Sequence, residues 1–247
     1  KEDITEYIGR NTIVPYLVDA TLAGLKSHPQ MEKDFWQFLR SSGDRYIYDA
    51  MKKGADLPIP DEIAVGLDTT LPNLLERRRR WNERTPEAWA LPTEIWRETI
   101  ERLSRYSSIK EKIENGEINA INDFITYNLD IRRFVYDYLA HTPNHLFVSH
   151  FYKALQQTTI LDPTCGSGAF LFAALNILEP LYEVCIGRMQ EFNQANNRLF
   201  VSELQEIAQR YRSNIQYFIY KSIILRNLYG VDIMVEATEI AKLRLFL

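Results

Sequence analysis

The chain has little cysteine: Cys165 and Cys185 are the only two in 247 residues. That excludes a disulfide framework and a thiolate zinc site, and free thiols fit a reducing compartment. It also lacks any uninterrupted run near the roughly 18 apolar residues of a membrane span. No basic leader followed by an apolar segment opens it, so the expectation is a cytoplasmic protein with no membrane partner. There is no excess of positive charge either. The formal net charge is −4, which gives no general attraction for polyanions. A nucleic-acid enzyme of this composition needs a local basic groove or one carried elsewhere. The first residue is Lys1 and not Met, and the chain reads as a piece of a longer protein. The four histidines, His28, His141, His145 and His150, come without the Cys or carboxylate spacing of a metal site. They read as packing or surface residues, and no metal is expected.

What the chain does have is one highly patterned stretch. Thr158-Thr159-Ile160-Leu161-Asp162 is a short β-branched and apolar run ending in an acid; Pro163-Thr164-Cys165-Gly166-Ser167-Gly168 follows, and an apolar-periodic segment runs from Ala169 to about Gln190. This is strand, tight loop, helix. Glycines at 166 and 168 let backbone N–H groups approach a ligand, and the new helix aims its partial positive end at the same place. An anionic group of a small molecule fits there, with Asp162 at the carboxyl end of the strand facing the crevice. The string is not a dinucleotide fingerprint, since position 171 is Leu where a third Gly is needed. It is not a P-loop, which needs Gly-Lys-Ser/Thr. Cys165 replaces the first Gly of a nucleophile elbow, so Ser167 is not expected to be a nucleophile.

A second stretch has the same grammar. Asn227-Leu228-Tyr229-Gly230-Val231-Asp232-Ile233 is a short apolar strand ending in an acid, followed by a helix from about Glu236. An acid at the end of the second strand of a nucleotide-binding unit accepts hydrogen bonds from ribose hydroxyls. Asp232 stands much farther from the glycines than the roughly 20 residues of a simple unit. The segment between reads as two or three inserted helices, with Phe200, Leu204 and Ile207 and then Ile215, Phe218, Ile219 and Ile223 at helical spacing.

Asp162-Pro163-Thr164-Cys165-Gly166-Ser167-Gly168-Ala169-Phe170-Leu171 resembles the first motif of S-adenosylmethionine-dependent DNA adenine-N6 methyltransferases, and Gly230-Val231-Asp232-Ile233 resembles their second. Segments around Leu91-Pro92-Thr93 and Asp130-Ile131-Arg132 carry similar wording. The likeness is to the large enzymes of type II restriction-modification and phage-defence systems. It implies that Asp162, Thr164, Cys165, Gly166, Ser167 and Gly168 line the methionine end of S-adenosyl-L-methionine, that Pro163 and Phe170 belong to the same cofactor site, and that Asp232 and Ile233 hold the ribose and flank the adenine. It further implies a lid motif ahead of the glycine loop. Thr12 and Pro15 in Asn11-Thr12-Ile13-Val14-Pro15 are the preferred candidates, with Asn11 or Thr12 as a helix N-cap and Pro15 near its first turn; Thr142-Pro143 is the rival.

Residues 1–157 otherwise read as helix after helix. Thr93 is expected to cap a long helix over Glu94 to Glu114 that ends at Asn115-Gly116. Arg77-Arg78-Arg79-Arg80, with Trp81 and Arg84, is expected to be a solvated helix whose arginines pair with Glu76, Glu83 and Glu87. A DNA-contact patch is the competing reading. The fold class is therefore mainly α followed by α/β: a helical domain over 1–157, then over 158–247 the first, incomplete part of a Rossmann-like methyltransferase sheet.

The family likeness also implies an Asn/Asp-Pro-Pro-Tyr/Phe tetrapeptide that grips a flipped adenine. From the glycine loop onward the only prolines are Pro163 and Pro180, so no catalytic residue is assigned. The expected role is a fragment of a DNA adenine-N6 methyltransferase, inactive alone. It is expected to meet double-stranded DNA through the intact protein and weakly or not at all by itself. The alternatives are a methyltransferase fold with a non-DNA acceptor, and a helical interaction module in which the glycine loop is only a turn.

Overall fold

A computed structural model describes residues 2–211 and 214–246. The chain opens with α1 (Glu2–Gly24) and α2 (Pro29–Arg40), passes through the single-turn helices α3 (Asp49–Lys52), α4 (Asp61–Ala64) and α5 (Leu74–Arg77), and continues as α6 (Trp96–Asn115), α7 (Ile121–Thr126), α8 (Ile131–His141) and α9 (His145–Gln157). Then come β1 (Ile160–Asp162), α10 (Ala169–Ala195), α11 (Val201–Tyr211), α12 (Ile215–Ser222), β2 (Leu228–Gly230) and α13 (Val235–Phe246). The expected mainly helical chain with a partial sheet is what forms. Among the described residues the sheet has two strands, β1 and β2, paired in parallel.

The central element is α10. Leu171, Ala174, Leu175, Leu178, Leu181, Tyr182, Cys185 and Met189 repeat every three or four residues and are buried, so α1, α8, α9 and α12 close around it. By length and composition α10 could span a membrane; here its apolar surface packs into the core instead. One continuous cluster of buried side chains runs from Ile13 to Leu228. At its amino-terminal end Phe35 is fully buried among rings, with centroids of Phe134, Tyr138 and Trp36 at 4.8, 4.9 and 5.1 Å. A smaller cluster of Ile63, Trp81, Trp96 and Ile100 lies under the segment between α3 and α6.

Three local expectations need correction. First, α1 begins at Glu2, so neither Asn11 nor Thr12 caps it and Pro15 sits in its interior. Asn11 Nδ2 and Thr12 Oγ1 donate back to the carbonyls of Tyr7 and Ile8, at 2.8 and 2.9 Å. An interior proline costs about 3 kcal/mol. Val14, Leu17 and Val18 are wholly buried around it, and at about 1.5–3 kcal/mol each they outweigh that cost.

Second, Thr93 adopts a left-handed conformation (φ 74°) and does not cap α6. The helix starts at Trp96, with the Glu98 carboxylate accepting the Ile95 N–H at 3.1 Å. Glu94 instead receives Arg102, which is buried and also donates to the carbonyls of Met51, Lys53 and Trp89. The ending at Gly116, left-handed at φ 73°, is as expected.

Third, the arginine quartet is not one solvated helix but two short turns, α5 and the 3₁₀ turn Arg79–Asn82. Arg77 donates to the carbonyls of Val65, Asp68, Leu71 and Pro72. Arg78 donates to Gly66, while Arg80 pairs with Glu62 and Glu83. One planar guanidinium with its fork of donors meets four carbonyls of the loop at once, which a single surface acid does not match.

The inserted segment between the motifs is helical as expected. It ends in a π-helical turn, Ile223–Asn227, that feeds directly into β2.

Candidate functional site

Two stretches far apart in sequence meet at the carboxyl ends of β1 and β2. The strands pair Ile160 with Leu228, Leu161 with Tyr229 and Asp162 with Gly230. Pairing continues past the strands: the Val231 N–H donates to the Asp162 carbonyl, and the Cys165 N–H to the Val231 carbonyl, both at 2.9 Å. Both acids, Asp162 and Asp232, therefore leave the sheet on the same edge.

The loop between β1 and α10 is built by its own backbone. The Asp162 carboxylate accepts the Thr164 N–H at 3.1 Å, an Asx-type turn that folds the acid against the loop. Gly166 and Gly168 both have positive φ, 49° and 79°. At Gly168 the demand is double, because a Cβ would also lie 3.0 Å from the Ala241 Cβ of α13. Gly168 is the N-cap of α10 and offers no side chain to its first turn, so that turn's N–H groups remain available to a ligand.

Beyond these backbone bonds, the side chain of Asp232 also links the two motifs. The Gly166 N–H donates to Asp232 Oδ2 at 2.8 Å across a sequence separation of 66. Asp232 Oδ1 accepts the Met234 N–H at 2.9 Å. The N–H groups of Met234 and Gly166 hold the Asp232 carboxyl below the usual carboxylate range. Each oxygen keeps a lone pair for a further donor, which is what a pair of ribose hydroxyls requires.

Cys165 is buried beneath the loop, and burial, followed by the repulsion of Asp162 and Asp232, pushes its thiol up. It is a packing residue and a poor nucleophile. Pro163, Thr164, Ser167, Phe170 and Ile233 are exposed around the rim, Ile233 completely so.

Thr12 and Pro15 stand apart from this group. They lie on α1 beyond Gly9, which meets Ile177, roughly 12 Å along α10 from its first residue. Among the described residues no hydrogen bond joins either to the loop. The rival Thr142-Pro143 is held by Arg188, which donates to the Thr142 carbonyl at 2.7 Å, roughly 30 Å along α10 from Ala169.

A residue that the motifs did not disclose is Asn227. It is completely buried at the entrance to β2. Its Nδ2 donates to the carbonyls of Leu155 and Thr158 at 2.7 and 2.6 Å, and its Oδ1 accepts from Tyr182 at 3.1 Å. The side chain ties the start of β2 to the turn between α9 and β1, and so sets the two strands level. Its signal in the sequence is weak, an amide beside Arg226 at the start of a short apolar strand.

Comparison with known proteins separates the readings of this loop. Residues 139–247 match the MmeI DNA-methyltransferase domain. The MmeI-type match begins inside α8 and takes in the whole of the β1–loop–α10 unit and Asp232. A protein of Methanocaldococcus jannaschii, named as a candidate type II restriction enzyme and methyltransferase, is 35% identical over 153 residues. That alignment covers 62% of this chain and 11% of the other protein, so the chain spans a small part of its relative's length. No solved structure matches the chain. The likeness of the two motifs to restriction-modification methyltransferases is thus matched by likeness along the MmeI-type stretch.

Proposed function

We propose that this chain is the cofactor-holding part of a DNA adenine-N6 methyltransferase of a restriction-modification or phage-defence system, with S-adenosyl-L-methionine as methyl donor. The observation that carries the reading is the Gly166–Asp232 hydrogen bond. It brings a glycine loop at a helix N-terminus and a strand-end acid to one edge of a parallel pair, the place where open α/β sheets bind nucleotides. The MmeI-type likeness supports a methyltransferase over the other users of that geometry.

The residues present fit the donor's chemistry. The first-turn N–H groups of α10 and the loop from Thr164 to Gly168 suit the methionine carboxylate, with Asp162 beside its ammonium group. Asp232 suits the ribose hydroxyls, and the exposed side chains of Ile233 and Phe170 suit the faces of the adenine ring. Bound there, the cofactor supplies an electrophilic methyl group, and this chain's contribution is to hold it in position. The residues that grip the target base are assigned to sequence other than these residues, because the Asn/Asp-Pro-Pro-Tyr/Phe tetrapeptide is absent from them. On this reading residues 1–157 form a helical domain packed on the start of the methyltransferase domain.

The test is calorimetric titration of the chain with S-adenosylmethionine, S-adenosylhomocysteine and NAD. The expected result is binding of the first two at one site and no heat from NAD. Binding of NAD, or of none of the three, would contradict the assignment. DNA incubated with the purified chain and S-adenosylmethionine is expected to gain no N6-methyladenine.

A further inference from the structure

The arginine quartet that organises the loop after α4 leaves a second feature of the fold without a role. A groove of about 600 Å³ runs between that loop and the outer face of α6. Arg97, Ser104, Arg105 and Ser108, all exposed, line it from α6. They share one face because they recur at helical spacing, and Arg97 and Arg105 are two turns apart, about 12 Å along the axis. Arg78 faces them from the opposite wall.

Arg78 is held in place before any ligand arrives. Its guanidinium stacks 4.1 Å above the Trp81 ring, and its Nε donates to the Gly66 carbonyl at 2.9 Å. The Trp81 indole is itself fixed by its N–H, which donates to the Ile63 carbonyl at 3.1 Å. At Gly66 a Cβ would lie 2.7 Å from the Trp81 Nε1 and 2.8 Å from the Arg78 Cγ, so the stack needs a residue without a side chain there. A guanidinium fixed in this way loses little entropy on meeting a phosphate and presents its remaining N–H groups as a fork.

Charge and donors in the groove point one way. Three arginines face a single acid among the lining residues, Glu101. Its contact with Arg105 is long, 3.7 Å, and both side chains are more than half exposed, so the pair is weak and easily exchanged for a phosphate. The serine hydroxyls and the Tyr127 side chain at the far end add neutral donors. Arginines interleaved with hydroxyl donors are the usual partners of a nucleic-acid backbone. A duplex presents one negative charge per about 1.7 Å of axis, so a 12 Å span covers several phosphates. The geometry points to a backbone-contact groove for duplex DNA formed by Arg78, Arg97 and Arg105 with Ser104 and Ser108. The choice of DNA over another polyanion rests on the function proposed above. The groove lies outside the cofactor residues, and a chain of net charge −4 has no diffuse attraction to imitate it.

The experiment is fluorescence anisotropy of a short labelled DNA duplex against the 247-residue chain across a series of salt concentrations. Arg97→Gln/Arg105→Gln is compared with Lys26→Gln/Lys33→Gln, which removes the same charge from exposed positions elsewhere. Ser104→Glu/Ser108→Glu is a second groove variant that leaves the arginines and the Trp81 stack untouched. Circular dichroism confirms the fold of each. Binding by the unaltered chain at low salt is expected, with the double arginine variant about tenfold weaker and its log–log salt slope shallower by about two contacts. The serine variant should weaken binding similarly, and the lysine control by less than twofold. Equal affinity of both groove variants and the unaltered chain would overturn the inference. So would an equal loss in the lysine control, or no binding by the unaltered chain. Tighter binding of an RNA duplex would overturn the assignment to DNA. The calorimetry with S-adenosylmethionine is independent of these variants, so failure of the groove and failure of the cofactor assignment give different results.

Discussion

Replacing Asp232 by Ala should weaken S-adenosylmethionine binding by about 10- to 100-fold, the worth of one or two hydrogen bonds to a charged acceptor. The loss has two parts. The ribose hydroxyls lose their acceptor, and the Gly166 N–H loses the partner that holds the glycine loop against the second motif. Asp232→Asn separates them, because its remaining carbonyl oxygen keeps one acceptor and the charge is removed; it should fall between the two. The carboxyl of Asp232 is held below the usual range by the N–H groups of Met234 and Gly166. Lowered in this way, the carboxyl stays ionised, and so stays an acceptor for the hydroxyls, at every pH above the ordinary aspartate value. Binding should therefore be flat from neutral pH down to about 4, the ordinary aspartate value, and decline below it. Titration calorimetry of the three proteins is the check, and identical affinities would mean that the acid does not touch the cofactor.

The second large effect is on stability. Asn227→Leu should cost about 3–9 kcal/mol, measured as a fall in the urea midpoint. The estimate follows from three partners stranded at once, the Leu155 and Thr158 carbonyls and the Tyr182 hydroxyl, at about 1–3 kcal/mol for each buried polar group left unsatisfied. Leucine has as many side-chain heavy atoms as asparagine but a larger volume, so at this completely buried position some overpacking adds to the polar term. A change below about 1 kcal/mol would show that water reaches these groups when the side chain is gone. Because Asn227 sets β2 level with β1, cofactor affinity should fall in the same variant even where most of the protein is folded.

The two motifs that meet at the ends of β1 and β2 were legible in the sequence because each is encoded locally. A strand ending in an acid, two glycines and an apolar-periodic helix announce themselves within a few residues, and so does Gly230-Val231-Asp232-Ile233. That the two stretches pair side by side follows from the rule that consecutive parallel strands neighbour one another. The errors came where a distant partner decides a local choice. Pro15 reads as a helix start, yet burial of Val14, Leu17 and Val18 against α10 and its neighbours carries the helix straight through it. The four arginines read as a solvated face, yet loop carbonyls up to twelve residues away claim Arg77 and Arg78. Thr93 reads as a cap, and the helix starts later because Glu94 is drawn to Arg102. Asn227 was invisible for the same reason: two of its partners lie 69 and 72 residues back in the chain.

The central claim is that the loop from Thr164 to Gly168 and the residues around Asp232 form one cofactor site. Amide chemical-shift mapping of the isotopically labelled chain, titrated with S-adenosylmethionine, tests it most directly and registers even millimolar affinity. The account predicts that Thr164, Cys165, Gly166, Ser167 and Gly168 shift together with Asp232, Ile233 and Met234 along a single saturating curve, while the amides of α2 and α6 stay still. Shifts confined to one of the two motifs, or centred elsewhere on the helical part, would contradict it.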